Sequence, residues 1–160
     1  MPANISINFN TSSSDTLAAS LVDARFASQD SMSLAKNFPA GALAGQVDTI
    51  FERRGAAEST PEEIDLSLVA DQNGDLSAFA SVKALAICNK GEENPLEVSG
   101  SYFGSNAKIT VPPGGALALL LPDGVEITPS SNDIISIGSV LGTEYEARIV
   151  GVKVPQESLD

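Results

Sequence analysis

The sequence predicts an all-β protein: an antiparallel, jelly-roll-like β-sandwich with an N-terminal extension that contains a short helix. The main observation is a series of short apolar or alternating segments after residue 46, separated by turns that contain Gly, Pro or Asn. We count eight such strands, a number that suits a jelly roll. No long helical pattern interrupts them, and 160 residues, 42% of them apolar, are enough to bury one core.

The first 46 residues are predicted to form an arm. Residues 4–10 alternate between polar and apolar side chains, which is typical of a half-buried strand. Residues 15–29 space their apolar side chains as a helix does and begin beside a serine and an aspartate that can cap it. This helix could pack on the protein's own domain or on a neighbouring subunit. Residues 30–46 are rich in Ser, Ala and Gly and are predicted to be an extended connection.

Residues 47–154 are predicted to form the sandwich domain, and residues 155–160 a C-terminal tail. The strands are expected in eight segments: VDTIFERR, IDLSLVA, SVKALAICN, PLEVSG, AKITV, ALALLL, NDIISIGSV and TEYEARIVGVKV. The segment GAAESTPEE is expected to be a surface loop because it contains Pro61 and several acidic residues. PPGG is expected to be a turn, since Pro fixes φ and Gly permits a positive φ, and PDG is expected to close the strand ALALLL.

The alternation also predicts which side chains share a face. In IDLSLVA these are Ile64, Leu66 and Leu68. In PLEVSG the side chains of Leu96 and Val98 should point inward. In the last strand one face is charged at one end and apolar at the other, and it comprises Glu146, Arg148, Val150, Val152 and Val154.

Composition and charge argue against several classes of function. The chain has 21 acidic and 9 basic residues, a formal charge of −12, and would repel both nucleic-acid backbones and anionic membranes. Histidine, the commonest general base and metal ligand, is absent. Cys88 is the single cysteine, which excludes an intrachain disulfide and a Cys-based zinc site. The absence of tryptophan weakens an interpretation based on sugar stacking.

The chain shows no obvious targeting signal. MPANISINFN lacks the basic start and apolar core of a signal peptide. The longest apolar run, GGALALLLP, is far shorter than the ~20 residues of a spanning helix. We therefore expect synthesis in a cytoplasm, where the protein stays or joins an assembly.

The segment ADQNGDLSAFASV begins like a calcium loop, with Asp71, Asn73 and Asp75 at alternate positions. An EF-hand loop also needs Gly at its sixth position and Glu at its twelfth, where this chain has Leu76 and Val82. The dipeptide NG is a strong turn signal, and the flanking aspartates can cap backbone N–H groups. We therefore predict a turn, with weak calcium binding as the alternative. No metal, cofactor or catalytic residue is assigned.

Two predicted strands are apolar on both faces. In the first strand, KALAIC, one face carries Leu85 and Ile87 and the opposite face carries Ala84, Ala86 and Cys88. In the second strand, ALALLL, one face carries Leu117, Leu119 and Leu121 and the opposite face carries Ala116, Ala118 and Leu120. A solvated antiparallel strand should instead alternate with polar residues, so both faces need cover. Burial of one such face, a few hundred Å² at ~25 cal/mol per Å², gives several kcal/mol. The cover could be the chain's own N-terminal segment or a second copy.

The remaining candidate groups are interpreted as structural. Acidic residues in polar segments are expected to be solvated surface rather than a glycosidase pair: Glu62, Glu63, Asp65, Glu92 and Glu93. Ser81 and Lys83 are expected to be strand residues rather than a Ser–Lys pair, and Cys88 an inert buried thiol. An interface ion pair or a solvated strand end is expected from Glu52, Arg53 and Arg54.

Over residues 64–152 the layout resembles small virion proteins of tailed bacteriophages. The segments that show the resemblance are VKALAICN, LEVSG, VPPGGALALLLPDG, NDIISIGSV and YEARIVGV. The chain is similar to jelly-roll decoration, or cement, proteins, which sit on phage heads, commonly as trimers at lattice junctions. The resemblance covers somewhat over half the chain, excludes residues 1–46 and implies no catalytic residue. The high acidity departs from it and would require a basic capsid surface.

The resemblance implies a structural virion protein, made in the host cytoplasm and located on the capsid surface. It would bind the major capsid protein and bridge its subunits, with apolar strand faces holding a homotrimer and the arm and loops clamping the lattice. The alternative is a tail- or fibre-associated sandwich that recognises host glycans. A third hypothesis, a cupin-like enzyme, is opposed by the missing histidines.

Overall fold

The computed structural model describes residues 5–11, 32–38, 40–43, 46–70 and 76–155. It confirms the predicted all-β class, since the described residues form twelve strands and one short 3-10 turn, Ser101–Phe103. No helix in these ranges is long and apolar enough to cross a membrane. The chain divides into two compact units, residues 1–39 and 40–160.

The N-terminal unit contains an antiparallel strand pair. Strand β1 (Ile5–Thr11) pairs with β2 (Met32–Phe38) along its whole length. β1 confirms the strand predicted at residues 4–10. β2 corrects the prediction of an extended connection for residues 30–46, because residues 32–38 pair with β1 as a strand. The helix predicted for residues 15–29 lies outside the described residues.

The second unit contains ten strands. They are β3 (Thr49–Ala57), β4 (Glu62–Asp65), β5 (Val69–Ala70), β6 (Leu76–Ser77), β7 (Phe79–Asn89), β8 (Leu96–Ser99), β9 (Lys108–Val111), β10 (Ala116–Glu126), β11 (Ile134–Gly138) and β12 (Thr143–Lys153). Two four-stranded antiparallel sheets contain eight of them. The first sheet has the order β10-β7-β12-β3 and the second β4-β11-β8-β9, while β5 and β6 form a short hairpin.

The pairing of these eight strands is that of a jelly roll. Counted along the chain without β5 and β6, the first pairs with the eighth (β3–β12), the second with the seventh (β4–β11), the third with the sixth (β7–β10) and the fourth with the fifth (β8–β9). This is the pairing of one long antiparallel hairpin of eight strands that is folded into two sheets. The predicted jelly-roll-like sandwich is therefore confirmed.

The core lies between the two sheets and follows from period-two alternation. The first sheet contributes Leu85, Ile87, Ala147 and Ile149, all fully buried. The second sheet contributes Leu96, Val98, Ile135 and Ile137, also fully buried. The predicted inward orientation of Leu96 and Val98 is confirmed.

The predicted strand IDLSLVA is broken by its own aspartate. Oδ1 of Asp65 accepts hydrogen bonds from the backbone N–H of Ser67 at 2.8 Å and from its hydroxyl at 2.6 Å. This local bonding turns the chain and ends β4. Ile64 and Leu66 are buried as predicted, but Leu68 is 60% exposed, so its predicted orientation is wrong.

Two predicted loops are also shorter than expected. Only residues 58–61 of GAAESTPEE separate β3 from β4, so Glu62 and Glu63 lie in a strand. PDG does not close ALALLL: β10 continues to Glu126, and the register with β7 shifts between Leu120 and Val125. Gly124, with φ of 82°, permits this bulge. The predicted PPGG turn is confirmed, with Gly114 at φ 67°.

Buried Asn89 fixes one end of the sandwich. Its Nδ2 donates to the carbonyl oxygens of Asn94 at 2.8 Å and Val111 at 3.2 Å. Its Oδ1 accepts from the backbone N–H of Gly91 at 3.1 Å and the hydroxyl of Thr143 at 2.8 Å. The end of β7 is thereby tied to β9 and to the start of β12.

We predict that Asn89→Ala lowers the free energy of unfolding by about 2–4 kcal/mol, because several buried polar groups lose their partner. Denaturant unfolding measures this change. The matched control is Asn106→Ala at an exposed turn, which should change stability by no more than about 0.5 kcal/mol. Equal effects of the two variants would contradict the role of Asn89.

Candidate docking face

The second sheet has the outer face expected of a solvated antiparallel sheet. One row across it consists of polar side chains only, Glu63, Ser136, Ser99 and Lys108. On the same face, the Lys108 ammonium forms an ion pair with the Glu97 carboxylate at 2.7 Å. An apolar core side and a polar outer side are the ordinary arrangement.

The outer face of the first sheet differs from this arrangement. On this face, registers align three complete rows across all four strands, and two of them carry exposed or half-buried side chains throughout. Row 1 comprises Ala116, Cys88, Glu146 and Arg54, and row 2 comprises Ala118, Ala86, Arg148 and Glu52. We call these eight residues the docking face. Its β10–β7 half is small and apolar, and its β12–β3 half is charged.

The apolar half agrees with the sequence prediction of two strands that are apolar on both faces. Leu85 and Ile87 are fully buried in the core, and Leu117 and Leu119 pack against it. On the other side Ala116 is exposed, and three residues are half-buried: Ala86, Cys88 and Ala118. The side chains of this half are short and carry no charge.

The four charges of the other half alternate in sign. Arg54 Nη2 lies 3.1 Å from Glu146 Oε1, and Arg148 Nε lies 2.8 Å from Glu52 Oε1. Arg148 also approaches Glu146, at 4.0 Å. These side chains are 26–74% exposed, so each pair contributes at most about 1 kcal/mol to stability. The docking face as a whole is electrically neutral, although the chain carries −12.

In the next row toward the β10 bulge, the two central residues are buried. It comprises Leu120, Ala84, Val150 and Ile50. Ala84 and Val150 are fully buried yet lie outside the main core cluster. The middle of this row is therefore inaccessible, whereas every residue of rows 1 and 2 is exposed or half-buried.

At the opposite end of the docking face the surface is concave. A depression of about 640 Å³ is lined by Arg54, Gly55, Ala56, Lys90, Glu144, Tyr145 and Glu146. Its two cations, Arg54 and Lys90, balance its two carboxylates, Glu144 and Glu146. Among the described residues no group of three or more His, Cys, Asp or Glu is placed to hold a metal ion.

Arg53 lies on the opposite face of β3 from Glu52 and Arg54, and it links the two sheets. Its Nε and Nη2 donate to Glu62 Oε1 on β4, at 2.8 and 2.7 Å. The buried Tyr145 hydroxyl donates to Oε2 of the same carboxylate at 2.6 Å. Gly55 leaves room for the tyrosine ring, because a Cβ there would lie 3.2 Å from a ring carbon. Glu62, predicted to be solvated surface, is thus a structural link.

The other sequence candidates are separated from one another. The Lys83 ammonium donates to the carbonyl oxygen of Asp123 rather than to Ser81, and Lys83 is buried. Cys88 is a free, half-exposed thiol of the docking face, so the prediction of a buried thiol is corrected. Asp71, Asn73 and Asp75 lie outside the described residues, between the paired strands β5 and β6.

Sequence reasoning missed the alternating charges. An interface ion pair or a solvated strand end is predicted for Glu52, Arg53 and Arg54, but strand alternation places Arg53 on the opposite face from the other two. The pairs with Glu146 and Arg148 bridge residues 92 and 96 positions apart. The register of β12 against β3 brings these residues together. Because the two strands are far apart in the sequence, this register cannot be predicted from a local sequence pattern.

No protein-family model matches the chain, and no curated protein matches it. Among solved structures it is similar to a chain from Bacillus endospore appendages, described as a novel family of disulfide-linked pili. That similarity has 15% identity and a TM-score of 0.34, and covers 70% of this chain and 95% of the other. A similarity of this size carries no argument about function.

The tyrosines provide a test of this geometry. Burial raises the pKa of Tyr145 to about 12, and the hydrogen bond to Glu62 adds to the shift. Burial alone raises the pKa of Tyr102 to about 12. Because ionisation is disfavoured in the fold, these tyrosines stabilise the protein fully below about pH 10, the unfolded value, and this contribution is lost as pH rises through about 12.

We predict that both phenols of the native protein ionise near pH 12, as measured by near-ultraviolet phenolate absorbance. In denaturant both should ionise near the unperturbed pH of about 10. Tyr145→Phe should halve the late transition, since the chain has two tyrosines. Native ionisation near pH 10 would contradict the burial of these hydroxyls.

Proposed function

We propose that this protein is a non-enzymatic structural subunit, and specifically a decoration protein on the head of a tailed bacteriophage. The observation that carries the proposal is the docking face, a neutral surface that is apolar in one half and charged in the other, on a sheet whose opposite side packs in the core. The sequence resemblance over residues 64–152 supplies the specific setting, the outside of a capsid.

In this proposal different parts of the molecule have different tasks. The docking face joins copies of the protein, so that several copies act as one unit. The loops and the N-terminal arm contact the major capsid protein, so that each unit bridges neighbouring capsid subunits. No covalent bond is made or broken, and the energy comes from surface burial and charge.

The charge of the chain sets a requirement on the capsid. With a formal charge of −12, attachment needs a basic surface on the outside of the head. Interactions between exposed charges are screened by salt over about 8–10 Å near physiological ionic strength. Attachment should therefore weaken as salt is raised, whereas contacts through the apolar half of the docking face should not.

The test uses a phage that carries this gene and a derivative from which it has been deleted. We predict that purified protein binds the expanded deletion heads up to a fixed number of copies per head, and that binding raises the temperature at which the heads release DNA. Co-sedimentation and a thermal release assay measure the two effects.

An unrelated protein of similar negative charge serves as the control and should not bind to a fixed stoichiometry. Two results would contradict the proposal: no binding to expanded heads at low salt, or deletion heads as heat-stable as the parental ones.

A further inference from the structure

The two rows of the docking face have complementary charges. In row 1 the β12 and β3 positions are Glu146 and Arg54, and in row 2 they are Arg148 and Glu52. Row 2 therefore repeats row 1 with both signs reversed. In the β10–β7 half the rows are equivalent, since each presents only small apolar side chains.

A two-fold axis that runs across the strands, between rows 1 and 2, makes this face complementary to itself. Such an axis places each strand over the same strand of a second copy and exchanges the two rows. Glu146 then faces Arg148 of the second copy, and Arg54 faces Glu52. The apolar half faces the apolar half, with Cys88 opposite Ala86 and Ala116 opposite Ala118.

Other arrangements do not match. An axis parallel to the strands through the centre of the sheet would set β7 against β12, and alanines against the ion pairs. Charged groups would then lose water without gaining partners, which is costly. A three-fold axis cannot place a face against the same face of another copy, because only a two-fold axis produces an isologous contact.

We propose that two copies of this protein pair face to face through the docking face, about a two-fold axis that crosses the strands. Two sheets packed in this way keep their strands within about 30° of each other and lie about 10 Å apart. The occupant is a second copy because the charge pattern complements itself. This pairing does not depend on the proposed capsid role, and it replaces the trimer that the resemblance implies.

The size of the face sets the expected strength of pairing. Four strands about 4.8 Å apart and two rows of outward-facing side chains about 6.8 Å apart cover roughly 260 Å² per copy. The total of roughly 520 Å² is well below the size of stable interfaces, so this pairing is weak and reversible. The pairing should therefore depend on protein concentration.

The test is a charge-exchange series measured by light scattering and sedimentation over a range of concentrations. The wild-type mass should rise from that of one chain to that of two. The double variant Glu52→Arg with Arg148→Glu keeps the ion pair of row 2 but sets like charges opposite each other across the interface. It should weaken pairing by at least about tenfold.

Exchange of row 1 as well, by adding Arg54→Glu and Glu146→Arg, restores opposite charges across the interface. This fourfold variant should pair within about threefold of the wild type. The matched control exchanges an ion pair on the second sheet, Glu97→Lys with Lys108→Glu, and should leave pairing unchanged. Circular dichroism and thermal melts verify that every variant is folded.

Each possible mass either supports or overturns the proposed pairing. Two-chain mass that the double variant loses and the fourfold variant regains supports the proposal. The mass of one chain at every concentration overturns it, and so does a three-chain mass or a two-chain mass insensitive to the exchanges. A protein that remains a single chain but binds deletion heads would overturn the pairing and leave the capsid role standing.

Discussion

The architecture depends on one strand that has no polar face. β7 lies inside the first sheet and pairs with both β10 and β12. Toward the core it presents Leu85 and Ile87, which are fully buried, and on the other side Ala86 and Cys88, which are half-buried. In a sandwich of two sheets, each sheet is covered by the other on one face only. The inner face of β7 is satisfied by the jelly roll itself, while its outer face is left for another surface.

Hydrogen bonds from polar side chains hold the first sheet in place at its β3 edge and at the end of β7. Glu62 binds Arg53 and Tyr145 and so joins β4 of one sheet to β3 and β12 of the other. Asn89 donates through Nδ2 and accepts through Oδ1 of its side-chain amide, and so ties the end of β7 to neighbouring segments. Since buried polar groups that are fully paired define one arrangement, the docking face should keep its shape when a partner binds.

Much of this fold could be predicted from the sequence, because strands and turns are local signals. Alternation identified the inward-facing Leu96 and Val98, and PPGG marked a turn. The errors arose where a local interaction overrode the pattern. Asp65 caps a turn inside an apparent strand, and Gly124 allows β10 to continue through an apparent stop.

The docking face could be predicted only in its apolar half. Small apolar residues on both sides of KALAIC and ALALLL follow from the sequence, because each face is a matter of alternation along one strand. The alternating charges depend on the register of β12 against β3, which joins Glu146 to Arg54 and Arg148 to Glu52 across more than 90 residues. Their self-complementarity follows only from the order of strands in the sheet.

The reactivity of Cys88 tests the central claim most directly, since this thiol is the only one in the chain and belongs to the docking face. The measurement is the rate of maleimide labelling of the native protein at increasing protein concentration. If copies cover the docking face, the rate per thiol falls as concentration rises and recovers on dilution. A rate that is the same at every concentration would contradict the account, whether the thiol were always open or always covered.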